Sequence, residues 1–94
     1  MVRGPRLSRR CEADRKRVGE LARAIGASPY DPDLRREMGD LFLRNGQAAQ
    51  GVRWLESALR IRPDHAPTRA LLARYYERTG RPELAWEYVG FAPR

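Results

Sequence analysis

The chain of 94 residues has one cysteine, Cys11, one histidine, His65, and one lysine, Lys16. A single cysteine excludes an intramolecular disulfide and any metal site built on several thiolates, and it suits a reducing compartment. Cys11 sits among Arg9, Arg10, Glu12 and Arg15 without an acid–base partner, so no nucleophile–base pair is indicated. His65 falls in a turn and reads as a solvated turn residue. No apolar run approaches the length of a membrane span. Arg9-Arg10 is not followed by the apolar stretch that an export signal needs. Neither a Walker motif nor a dinucleotide fingerprint occurs among the glycines. No segment alternates with period two, which excludes a conventional half-buried strand. These absences point to a cytoplasmic, non-enzymatic chain with no cofactor, no metal and no membrane segment.

What is present is arginine. The net charge of +7 comes from 19 bases against 12 acids, and all the bases except Lys16 are Arg. Residues 1–31 carry eight bases and four acids, residues 32–63 six and four, and residues 64–94 five and four. The excess is therefore concentrated towards the N-terminus, where residues 1–8 hold Gly4, Pro5, Arg3 and Arg6 with only Val2 and Leu7 to bury. A flexible basic arm over 1–8 is expected, able to attract nucleic acid or an acidic partner.

From about Arg9 the pattern becomes helical. Val18, Leu21, Ala22 and Ile25 fall at three- and four-residue spacing, and Gly26 with Ser28-Pro29 makes a stop. Asp31-Pro32 opens a second helix, to about Arg44, with Leu34, Met38, Leu41 and Phe42 inward. Asn45-Gly46 ends it, and a third helix from Ala48 to Arg60 turns Val52, Leu55, Ala58 and Leu59 inward. Thr68 to Arg78 forms a fourth helix with Leu71, Leu72, Tyr75 and Tyr76. After Thr79-Gly80, Pro82 opens a fifth with Ala85, Trp86, Tyr88 and Val89.

The strongest signal is a period of 34 residues. Moved forward by it, Gly39 falls on Ala73, Phe42 on Tyr76, Gly46 on Gly80, Gly51 on Ala85, Leu55 on Val89 and Ala58 on Ala92. Moved back, Leu55 falls on Leu21, Ala58 on Ala24, Leu59 on Ile25 and Pro63 on Pro29. A period of this size marks stacked helical repeats. Small residues at Gly39, Gly51, Ala73 and Ala85 let two helices of a hairpin approach closely.

On these residues the chain resembles the tetratricopeptide repeat family. Met38-Gly39, Phe42, Gly51, Leu55, Ala58 and Pro63 hold the family spacing in one unit. Leu72-Ala73, Tyr76, Ala85, Val89 and Ala92 hold it in the next. Residues 15–29 look like the second helix of an earlier repeat. The expected fold is all-α, a short α-solenoid of about two and a half repeats with a half repeat at 9–29 and repeats at 30–63 and 64–94. The large aromatic that often begins the family pattern is replaced by Arg35 and Arg69, a departure expected to loosen the hairpins. Trp54 and Trp86 lie at offset places in their units.

The resemblance implies a non-catalytic module whose concave surface, formed mainly by first helices, binds an extended peptide. By helical position the groove candidates are Arg36, Asp40, Leu43 and Arg44, then Ala70, Leu71, Arg74, Glu77 and Arg78. Their arginines favour an acidic protein or peptide. Chaperone-binding members hold a C-terminal carboxylate with a set of Lys, Asn and Arg; here Asp40 stands where an Asn belongs and no Lys is present, so that function is not carried over. The last helix is apolar, and Trp86, Tyr88, Val89 and Phe91 are expected to self-associate, by default as a symmetric dimer. The alternative function is nucleic-acid binding through the basic arm, although the aromatics that single-strand binders interleave with bases are missing there.

Overall fold

Asp31 begins a helix because its side chain accepts a hydrogen bond from the Asp33 amide at 2.9 Å and Pro32 has no amide to leave unpaired. The other boundaries follow from equally local chemistry. Gly46 and Gly80 adopt positive φ, 81° and 82°, and turn the chain at the ends of two hairpin-forming helices. The structure, a computed structural model, describes residues 9–89 and the side chains of residues 12–88. Among these the chain forms five α-helices and no strand: α1 (Arg9–Ala27), α2 (Pro32–Arg44), α3 (Ala48–Ile61), α4 (Ala66–Arg78) and α5 (Pro82–Val89). The expected arm over 1–8 and the side chains of Cys11, Val89 and Phe91 lie outside the described residues. Gly26 does not stop α1, which continues to Ala27 before Ser28-Pro29 ends it.

The helices α2 and α3 form one hairpin, and α4 and α5 form another. The first hairpin closes where two backbones meet. A Cβ added at Gly39 would stand 2.7 Å from the Leu55 side chain and 2.9 Å from the Gly51 carbonyl. One added at Gly51 would stand 2.9 Å from the Gly39 carbonyl. In the second hairpin the same places hold Ala73 and Ala85, both buried. Around these contacts Leu21, Ile25, Met38 and Leu41 form a core between α1 and α2, with Val18, Leu34, Phe42 and Trp54 packed against it. Leu55, Ala58 and Leu72 are each fully buried and continue the core towards the second hairpin. This packing of successive antiparallel helices is compatible with a helical repeat.

The buried stripe of α1 differs from the one expected. Ala22 is exposed, and Asp14 takes its place on the stripe with Val18, Leu21 and Ile25. The reason is that, among the described helices, only α2 runs close along α1, so only a narrow face is covered. Asp14 is satisfied there by Arg44 Nη2 and Asn45 Nδ2, each donating at 3.1 Å. Arg17 stands 34 residues before Gly51, where close helix approach would need a small residue. Instead of leaving backbone bare, it donates to Glu37 of α2 at 2.8 and 3.0 Å and to Glu20 at 3.1 Å. The bond from Arg17 holds the Glu37 carboxyl below its ordinary range.

Arg35 and Arg69 do not loosen the hairpins. Arg35 donates from Nε and Nη2 to the Pro29 carbonyl at 3.1 and 2.9 Å, and its guanidinium lies 5.9 Å from the centre of the Trp54 ring. Arg69 donates to the carbonyls of Pro63, Tyr88 and Glu87 at 2.9, 2.8 and 2.8 Å and lies 5.7 Å from the Tyr88 ring. Pro29 and Pro63, Arg35 and Arg69, and Trp54 and Tyr88 are each 34 residues apart. An arginine laid on the aromatic of the second helix and tied to the preceding proline carbonyl therefore joins each hairpin. Cation–π contact and charge-assisted bonds do the work that a large aromatic would do by area.

Candidate functional site

Hydrogen-bonding geometry first draws attention to His65, which is not the solvated turn residue expected. It is 6% exposed. Its Nε2 lies 2.9 Å from Asp33 Oδ1 and its Nδ1 2.7 Å from Thr68 Oγ1. The tautomer protonated at Nε2 satisfies both contacts, donating to the carboxylate and accepting from the hydroxyl. The order hydroxyl, imidazole, carboxylate is that of a hydrolytic triad. Here, however, the hydroxyl side chain is 0% exposed, so a substrate carbonyl has no room beside it. The three groups instead tie the start of α4, where His65 occupies the N-cap position, to the start of α2. Replacing His65 with alanine should destabilise the fold by about 1–3 kcal/mol, because Thr68 is left buried without its partner. Chemical denaturation, comparing His65→Ala with the Asp33→Asn variant that keeps an acceptor, measures it.

Six of the expected groove residues come together in space. All six of these, Asp40, Leu43 and Arg44 from α2 with Leu71, Arg74 and Arg78 from α4, line a cavity of about 390 Å³. Leu43 and Leu71 are half-buried and provide its apolar part. Arg44 leans on Asp14 at 3.1 Å and Asp40 at 3.7 Å, so its charge is partly used. Arg74 and Arg78, one turn apart on α4, are exposed and make no ion pair or hydrogen bond among the described residues. The cavity thus presents three guanidinium groups against one carboxylate beside an apolar floor. Arg36, Ala70 and Glu77 do not line it. Ala70 and Glu77 are exposed on α4, while Arg36 is half-buried on α2 with its Nε enclosed and unpartnered among the described residues.

A second hollow of about 360 Å³ lies between α1 and the α2–α3 turn, lined by Asp14, Arg15, Val18, Leu41, Phe42, Asn45 and Gln47. Its Asp14 carboxylate is already satisfied by Arg44 and Asn45. No cluster of metal-ligating side chains occurs among the described residues, and no helix there is long and apolar enough to cross a membrane.

No protein-family model and no curated protein matches this chain. Chemical content therefore has to come from the site itself.

Of the residues expected to self-associate, Trp86 and Tyr88 have described side chains, and these two differ. Trp86 is 68% exposed. Tyr88 is half-buried within its own hairpin, stacked on Tyr76 with centroids 6.0 Å apart and clasped by Arg69. Burial raises the hydroxyl pKa of both tyrosines above the ordinary value. Sequence reasoning missed the Asp14, Arg44 and Asn45 cluster, in which Asp14 engages one of the arginines that line the cavity. Its signal is faint: an acid at 14 on an otherwise apolar stripe.

Proposed function

We propose that this chain is a non-catalytic interaction module, a short α-solenoid of tetratricopeptide-like hairpins whose concave side takes an extended acidic segment of another protein. The observation that carries this reading is the pair Arg74 and Arg78, exposed and unpartnered among the described residues, at the edge of a cavity floored by Leu43 and Leu71. Two guanidinium groups one helical turn apart favour carboxylates through bidentate, charge-assisted bonds. The leucines add a place for one apolar side chain between the acidic ones. Arg44, held by Asp14 and Asp40, supplies a fixed positive wall rather than a mobile one.

The groove is tested by recovering partners with the intact chain and with an Arg74→Gln/Arg78→Gln variant. Both positions are exposed, so the fold is expected to survive. Binding of an acidic peptide carrying interspersed leucines should weaken by about tenfold to a hundredfold in the variant. Equal affinity, or recovery of the same partners by both chains, would show that the groove is not the binding surface.

A further inference from the structure

The first and last described helices carry opposite charge. Helix α1 has six bases and three acids, a net of +3, whereas α5 has Glu83 and Glu87 and no base, a net of −2. Exposed side chains on α1 include Arg15, Lys16 and Arg23, and on α5 Glu83, Trp86 and Glu87.

Within the period of 34 residues, Trp86 and Arg23 stand uncovered at positions that are covered elsewhere among the described helices. Val18 packs against the core between α1 and α2, and its successor Val52 is half-buried. The third position in that series is Trp86, which is 68% exposed because no described helix covers it. The opposite edge shows the converse. Ser57 is buried, 8% exposed, one turn beyond Trp54 on the side of α3 that meets the first core. Its predecessor in the period is Arg23, which is exposed. Lys16, one turn pair before Arg23 on the same face of α1, is exposed as well.

We propose that the α5 edge of one copy docks on the α1 edge of a second copy, head to tail. Glu83 and Glu87 meet Lys16 and Arg23 of the second copy, and Trp86 is the apolar anchor between them. This inference rests on the stacked-hairpin reading and is independent of the groove. It also replaces the symmetric dimer expected above. A two-fold contact centred on Trp86 gathers the glutamates of both copies around it, and like charges brought together oppose such a contact. A head-to-tail contact neutralises them instead. Because it uses two different surfaces, it adds copies in a row or in a ring rather than in two-fold pairs, and the average mass grows with concentration.

Sedimentation of the full chain at low salt and at about 0.5 M salt tests the proposal, since screening acts strongly on exposed charges. The expected result is an average mass that rises with concentration at low salt and falls at high salt. Two charge reversals, Lys16→Glu/Arg23→Glu and Glu83→Lys/Glu87→Lys, should each weaken association by about tenfold or more. Mixing the two reversed chains should restore it, since each then presents a surface complementary to the other. Circular dichroism confirms that both retain their helices. A chain that stays monomeric at all concentrations overturns the proposal. So does a dimer indifferent to Lys16→Glu/Arg23→Glu, which would mark a symmetric α5 contact, or reversed chains that fail to recover on mixing.

Discussion

Replacing Gly39 with valine should lower the melting temperature by about 15 °C or prevent folding. The first added carbon already stands 2.7 Å from Leu55 and 2.9 Å from the Gly51 carbonyl. Leu55 is fully buried, and the carbonyl belongs to the facing helix, so neither can yield without opening the hairpin. Two further methyl groups deepen the conflict. Overpacking of this kind costs about 3 kcal/mol, which in a domain of this size is about 15 °C. A control separates packing from helix propensity. Gly19 lies in α1 with nothing within 4 Å of an added Cβ. Gly19→Ala should therefore stabilise the chain by about 0.5–1 kcal/mol, the ordinary gain from removing a mid-helix glycine. Thermal denaturation followed by circular dichroism reads both. If Gly39→Val melts with the wild type, the close approach of α2 and α3 is wrong.

Arg69→Ala should destabilise the chain by about 2–4 kcal/mol, more than Arg35→Ala at about 1–2 kcal/mol. The order follows from what each guanidinium holds. Arg69 bonds three carbonyls from two segments, those of Pro63, Glu87 and Tyr88. Glu87 and Tyr88 lie in the last turn of α5, where carbonyls lack helical partners, so the arginine also caps that helix. Arg35 bonds one carbonyl, that of Pro29. Lysine at position 69 should recover little, because a single ammonium cannot span three carbonyls and lacks a flat face for the Tyr88 ring. Urea denaturation of the four chains gives the comparison. Equal stability for wild type and Arg69→Ala would remove the arginine from the account of hairpin closure.

The helices were legible because their signals are local. Asp31-Pro32 and Gly46 each act within one turn of the helix they begin or end. The glycine contact was legible for another reason: Gly39 and Gly51 each have a small residue 34 positions later. Arg35 and Arg69 were misread because they were compared with an aromatic by size alone. Their partners Trp54 and Tyr88 lie 19 residues on, and only folding brings ring and guanidinium together. The common spacing of all three members was the available clue. His65 gave less warning. Asp33 is 32 residues away, and nothing near either residue marks the pair. Helical position gathered Asp40, Leu43, Arg44, Leu71, Arg74 and Arg78, which the fold sets around one cavity. It could not distinguish Arg44, engaged by Asp14 from α1, from the unengaged Arg74 and Arg78 on α4.

The most direct measurement is an NMR titration of the full chain with an acidic, leucine-containing peptide, following backbone amides. Binding in the groove predicts that the largest shifts fall at Asp40, Leu43, Arg44, Leu71, Arg74 and Arg78, with little change at Arg53 and Arg60 on α3. Shifts centred on Arg15, Lys16 and Arg23 of α1, or no shifts at all, would contradict it.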